Sequence, residues 1–65
     1  MTTYKKRLLQ GESIELTNSV EDDIFLFLGH QKRFCLQLNG RVLLSVKTFK
    51  PIENKLISFF ELKEV

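Results

Sequence analysis

Ile24-Phe25-Leu26-Phe27-Leu28 restricts the fold more than any other stretch of this chain: five apolar residues in succession, preceded by Asp22-Asp23 and followed by Gly29. A strand with one solvated face alternates apolar and polar residues, because successive side chains point to opposite sides of the sheet. This run does not alternate, so both of its faces need cover, as in a strand at the centre of a sheet. It is also too short for a buried helix.

The surrounding chain is small for that demand. Its 65 residues hold one domain, residues 1–65, and no linker. A domain of this size is marginal unless disulfides, a metal or a second chain add to its core. Cys35 is the sole cysteine, which excludes an internal disulfide, and with His30 as the sole histidine a tetrahedral metal site is undersupplied. Six phenylalanines can each bury roughly 150 Å² or more. The expected architecture is therefore all-β, a small barrel or sandwich of five to six antiparallel strands. A second copy in a homodimer would help to cover the central strand.

The flanking segments fit that expectation with varying clarity. Thr2–Leu9 is expected as a strand with Tyr4, Lys6 and Leu8 on one face, although Lys, Arg, Leu and Gln also favour helix. Ser13-Ile14-Glu15-Leu16-Thr17 alternates as a half-buried strand does, and Asn18–Asp22 reads as an exposed connection. Gly29–Lys32 reads as a polar turn. Arg33–Leu38 and Arg41–Val46 then flank Asn39-Gly40, a strong hairpin signal.

A two-residue Asn-Gly loop would put Phe34 and Leu36 on the opposite face from Val42 and Leu44. A three-residue loop, Leu38-Asn39-Gly40, with a bulge at Gly40 brings all four to one side and is the expected form. Lys47–Lys50 is expected to extend that strand until Pro51, which cannot donate to a ladder. Leu56–Val65 can be read as a short helix, with Ile52, Leu56, Phe59 and Phe60 in a stripe, or as a strand. Its β-branched and aromatic content favours the strand.

Chemistry-bearing groups are sparse. His30 reads as a solvent-exposed turn residue and Cys35 as an inert thiol facing away from Phe34 and Leu36. Glu21-Asp22-Asp23 lacks the ligand spacing of a calcium loop, and Gly11, Gly29 and Gly40 are too far apart for a phosphate loop. Neither an enzyme nor a cofactor is expected. The longest apolar run is far below a membrane span, and a lone cysteine with no export signal suggests a cytoplasmic protein.

The formal charge is only +2, but it is unevenly placed. Lys5, Lys6 and Arg7 near the start, Lys32 and Arg33 ahead of the hairpin, and Arg41, Lys47 and Lys50 around its second strand could form one edge of cations able to contact RNA phosphates, with Lys5, Lys6, Arg7, Lys47 and Lys50 as the expected contacts. Tyr4 and Phe49 are candidate stacking aromatics beside them.

Gly11-Glu12-Ser13-Ile14, Asp22-Asp23-Ile24 and the strand ending at Leu28-Gly29 resemble the carbon storage regulator (CsrA) family over roughly residues 4–46. The resemblance implies five strands with a C-terminal helix, an interlocked homodimer, and binding of GGA-containing messenger RNA to regulate translation. The pattern also departs from that family. Asn39-Gly40 replaces its Ala-Pro, and Thr48 stands where the family's RNA-contacting arginine would be, leaving Lys47 or Lys50 to substitute.

The expected function is thus an RNA-binding post-transcriptional regulator using Lys5, Lys6, Arg7, Lys47 and Lys50. The alternative is a small SH3-like protein-interaction or inhibitory module with an apolar patch at Phe49, Phe59 and Phe60.

Overall fold

A computed structural model describes residues 2–65, excluding the Thr2 side chain. The chain opens with helix α1 (Thr2–Leu9), followed by strands β1 (Ile14–Thr17) and β2 (Ile24–Leu28). A single tight turn, His30–Lys32, leads to the hairpin β3 (Phe34–Leu38) and β4 (Arg41–Val46). Helix α2 (Lys50–Ile57) and a short strand β5 (Lys63–Glu64) complete it. The five strands form one antiparallel sheet in the order β4-β3-β2-β1-β5. It is an open sheet with helices, not a barrel or an all-β sandwich.

The Tyr4–Leu9 segment is helical rather than extended. Lys5, Lys6, Arg7, Leu8 and Leu9 are good helix formers, and the C-terminal stop is specific. Gly11 N–H bonds to Leu8 O and Glu12 N–H to Arg7 O at 3.0 Å each, the paired arrangement in which a left-handed residue closes a helix. Gly11 supplies that conformation with φ 93°. Tyr4 and Leu8 meet the core together because residues four apart share a helix face as readily as a strand face.

Lys47–Lys50 does not prolong β4. Phe49 turns into the core, 4% exposed, and Lys50-Pro51 start α2. Pro51 thus marks a helix beginning, where its missing N–H would be unpaired in any case. The C-terminal segment divides between alternatives: Leu56 and Ile57 finish α2, and Lys63–Glu64 pairs with Leu16 and Thr17 of β1.

The hairpin turns on two residues, with Leu38 opposite Arg41. Asn39 and Gly40 have φ of 51° and 85°, as the mirror-image turn favoured in hairpins requires. A bulge is present, but inside the strand rather than at the turn. Gln37 faces Val42 while Leu36 faces Leu44, leaving Leu43 as the extra residue. Beyond it Leu36–Leu44 and Phe34–Val46 are cross-strand pairs on the core side. Val42 and Leu43 are left largely exposed at 50% and 40%. Val42, expected with the core set, lies outside it.

The register divides the sheet into two faces. The pairs Ile14–Leu26, Leu16–Ile24, Leu26–Leu36 and Leu28–Phe34 define the inner face. Leu8 from α1 and Phe49, Ile52 and Leu56 from the α2 segment close over it. Phe34 and Phe49 meet edge to face, with ring centres 5.5 Å apart. The radius of gyration, 10.7 Å, matches the roughly 11 Å of a compact domain of this length, so one chain covers its own inner face. Replacing Leu26, wholly buried at the sheet centre, by Ala should cost about 2–5 kcal/mol. Urea unfolding with an unchanged slope and a lower midpoint would register that loss.

Candidate nucleic-acid interface

The two ends of the sheet differ in charge balance, each with an excess of one sign. At one end β2 finishes, β3 begins and β4 finishes, because Leu28 pairs with Phe34 and Phe34 with Val46. This gathers Lys32 and Arg33 with Lys47, one residue beyond β4, and with Lys50 at the start of α2. The other end holds Glu21, Asp22 and Asp23, before β2, beside the Asn39-Gly40 turn, together with Arg41 at the start of β4 and Lys63 opposite Thr17.

The acidic end is rigidly tied. Asn18 is 6% exposed despite lying in a connection expected to be open. Its Oδ1 accepts N–H bonds from Val20 and Asp22, and its Nδ2 donates to Asp22 Oδ2 at 2.9 Å. Asn39 Nδ2 donates to Asp22 Oδ1, and Asn39 Oδ1 accepts from Asp23 N–H. These donors hold the Asp22 carboxyl below its ordinary range, Asn18 most and Asn39 next. The network joins the β1–β2 loop to the hairpin turn. Its sequence signal was Asn18 itself, since an Asn side chain readily folds back onto the amides that follow it.

The expected cations separate into three settings. Lys5 and Lys6 are exposed on α1, on the helix side of the sheet. Arg7 is engaged: its Nη1 and Nη2 donate to the two oxygens of Glu64 at 2.9 and 2.8 Å, and its Nε to Glu12 at 3.1 Å. This fork fastens α1 to β5 and holds the Glu64 carboxyl below its usual range. Lys47 is exposed beyond β4, and Lys50 pairs with Glu53 within α2 at 3.3 Å.

The expected aromatic sets are likewise rearranged. Phe49 is buried and Tyr4 and Phe59 pack against the core, so Phe60, 76% exposed, is the one open ring among them. The outer face of the sheet carries Phe25 and Phe27 instead. Phe25 lies between Glu15 and Gln37, and Phe27 beside Cys35. Their rings are half-buried, with centres 5.5 Å apart and planes inclined by 31°. Cys35 is covered beneath them, its Sγ 3.6 Å from Arg33 O and 3.7 Å from Ser45 Oγ. Arg33 crosses to β4, donating from Nε to Ser45 Oγ at 3.2 Å and from Nη2 to Ser45 O at 2.6 Å.

An open groove of about 520 Å³ lies between the Thr17–Glu21 loop and the Glu61–Val65 segment. Its charged lining, Glu21, Glu61 and Lys63, is mixed in sign. The described residues contain no cluster of three or more potential metal ligands and no helix long and apolar enough to cross a membrane. No protein-family model, curated protein or solved structure matches the chain.

The lowered carboxyls make stability pH-dependent with a definite sign. A group whose folded pKa is depressed stabilises the fold above its unfolded value and ceases to do so as pH falls through the folded one. For Asp22 and Glu64 the decline begins near their ordinary values of 3.8 and 4.5 and continues below them. Thermal unfolding from pH 7 to pH 2.5 should show that fall, and Arg7→Met should flatten it by removing the Glu64 contribution.

Proposed function

We propose that the protein binds RNA through the basic end of its sheet, with Lys32, Arg33, Lys47 and Lys50 contacting the phosphate backbone. The observation that carries this reading is the uneven charge along the strands: Lys32, Arg33, Lys47 and the Glu53-paired Lys50 at one end, and Glu21, Asp22 and Asp23, with Arg41 and Lys63 among them, at the other. Such a field attracts and orients a polyanion despite a net charge of only +2. Lys5 and Lys6 form a separate, weaker row on α1. Arg7 acts in holding α1 to β5. RNA occupancy of this kind is the action of a post-transcriptional regulator, in keeping with the Gly11–Ile14 and Asp22–Ile24 motifs.

Homodimerisation belongs to the same proposal in a restricted form. The inner face is closed within one chain, so a second copy would have to use another surface, such as the outer face of the sheet. Sedimentation with and without RNA separates a constitutive dimer from a monomer that binds alone.

Neutralising Lys32, Lys47 and Lys50 together to Gln should weaken RNA binding by at least tenfold near physiological salt. The slope of log affinity against log salt should fall by about 2, near 0.7 per lost phosphate contact on a single strand. Lys5→Gln with Lys6→Gln should have the smaller effect. Unchanged affinity and slope in the triple variant, with its circular dichroism intact, would sink the reading.

A further inference from the structure

We infer that the outer face of the sheet is a stacking platform for two adjacent, unpaired nucleobases, received by Phe25 and Phe27. This rests on the RNA-binding reading and deepens it from a polyanion to a single strand. Both helices pack on the inner face, and the two rings, on the opposite face, are partly exposed. They occupy alternate positions of β2, the middle strand of the five. Aromatic rings accept any base by stacking, whereas an aliphatic cover would not distinguish a base from other apolar matter.

The spacing defines the class of ligand. The ring centres stand 5.5 Å apart, well beyond the rise of about 3.4 Å between stacked bases of one duplex strand. Two neighbouring bases placed over the two rings are therefore unstacked from each other. That arrangement is open to an extended single strand and closed to a regular duplex.

Charge around the rings fixes which side the backbone takes. Glu15 on β1 flanks Phe25 and repels phosphate from that side. Arg33, next to Phe34, is a diagonal neighbour of Phe27, because Phe27 pairs with Cys35 and Leu28 with Phe34. Two of its five N–H donors are held by Ser45, and three remain for phosphate. Arg33 pairs with no carboxylate among the described residues, and Lys47 adds a second exposed cation at that end. The sugar–phosphate chain accordingly runs over β3 and β4 while the bases lie over β2.

The decisive variant is Phe25→Leu with Phe27→Leu, which keeps apolar cover on the sheet but removes both π faces. Binding is read by fluorescence anisotropy with short labelled oligo(A), with an abasic oligomer of equal length, and with a blunt duplex. The double Leu variant should lose roughly 5- to 100-fold in affinity for oligo(A). Its salt slope and melting temperature should stay near those of the parent. The parent should prefer oligo(A) over both the abasic strand and the duplex.

Because the chain contains no tryptophan, Phe27→Trp provides a stacking reporter. Its emission should be quenched by oligo(A) and not by the abasic strand. Unchanged affinity in the double Leu variant, with the Lys32/Lys47/Lys50 variant still defective, would overturn the platform and leave RNA binding intact. Salt-insensitive or absent binding by the parent would remove the RNA reading itself. A dimer that the Leu pair converts to monomer would assign the face to a second copy and overturn the platform.

Discussion

One inserted residue lets this sheet have an inside. Without the bulge at Leu43, the two-residue turn at Asn39-Gly40 would set Phe34 and Leu36 against the polar side of β4. With it, Leu44 and Val46 come into line with them, and α2 has a continuous apolar surface on which to seat Phe49, Ile52 and Leu56. The turn and the bulge are complementary devices. The first fixes a tight reversal whose twist matches the strands, and the second corrects the facing that this reversal would otherwise impose. The cost is the exposure of Val42 and Leu43.

How much of this was legible follows from which interactions are local. The central place of Ile24–Leu28 could be read from its lack of alternation, and the hairpin from Asn39-Gly40. The need for a bulge could be read from side-chain facing alone. Its position could not, because both placements unite the apolar sets and only packing under α2 selects between them. The α1 segment is ambiguous in sequence because Tyr4 and Leu8 satisfy both periodicities, although Gly11 after a run of helix formers is a stop signal. Lys47–Lys50 is equally ambiguous, because Pro51 is compatible with the end of a strand and with the first turn of a helix.

The candidate interface shows the same division. The basic clusters were visible as sequence, but their grouping depends on pairing: Lys32 and Arg33 join Lys47 only through the Phe34–Val46 register. Arg7 left the row because Glu64, distant in sequence, reached it through β5. Phe25 and Phe27 sit in a run that reads as needing cover on both sides, so nothing local singles out their place on the outer face, which follows from the β1 and β3 registers. The double-sided apolar run describes a sheet with a sealed inner face and an aromatic outer one.

The Arg33–Ser45 contact has a bearing on solubility. β4 is the longest strand, lies at the rim of the sheet, and is uncharged from Val42 to Val46. Rims of that kind invite strand addition from neighbouring molecules and growth into aggregates. Here the guanidinium occupies the Ser45 carbonyl and places a fixed charge across the strand, while the Leu43 bulge disturbs the other half of the ladder. Together they make a poor template for a further strand. The same side chain that we propose meets a polyanion on the broad surface thereby guards the narrow one against copies of its own chain.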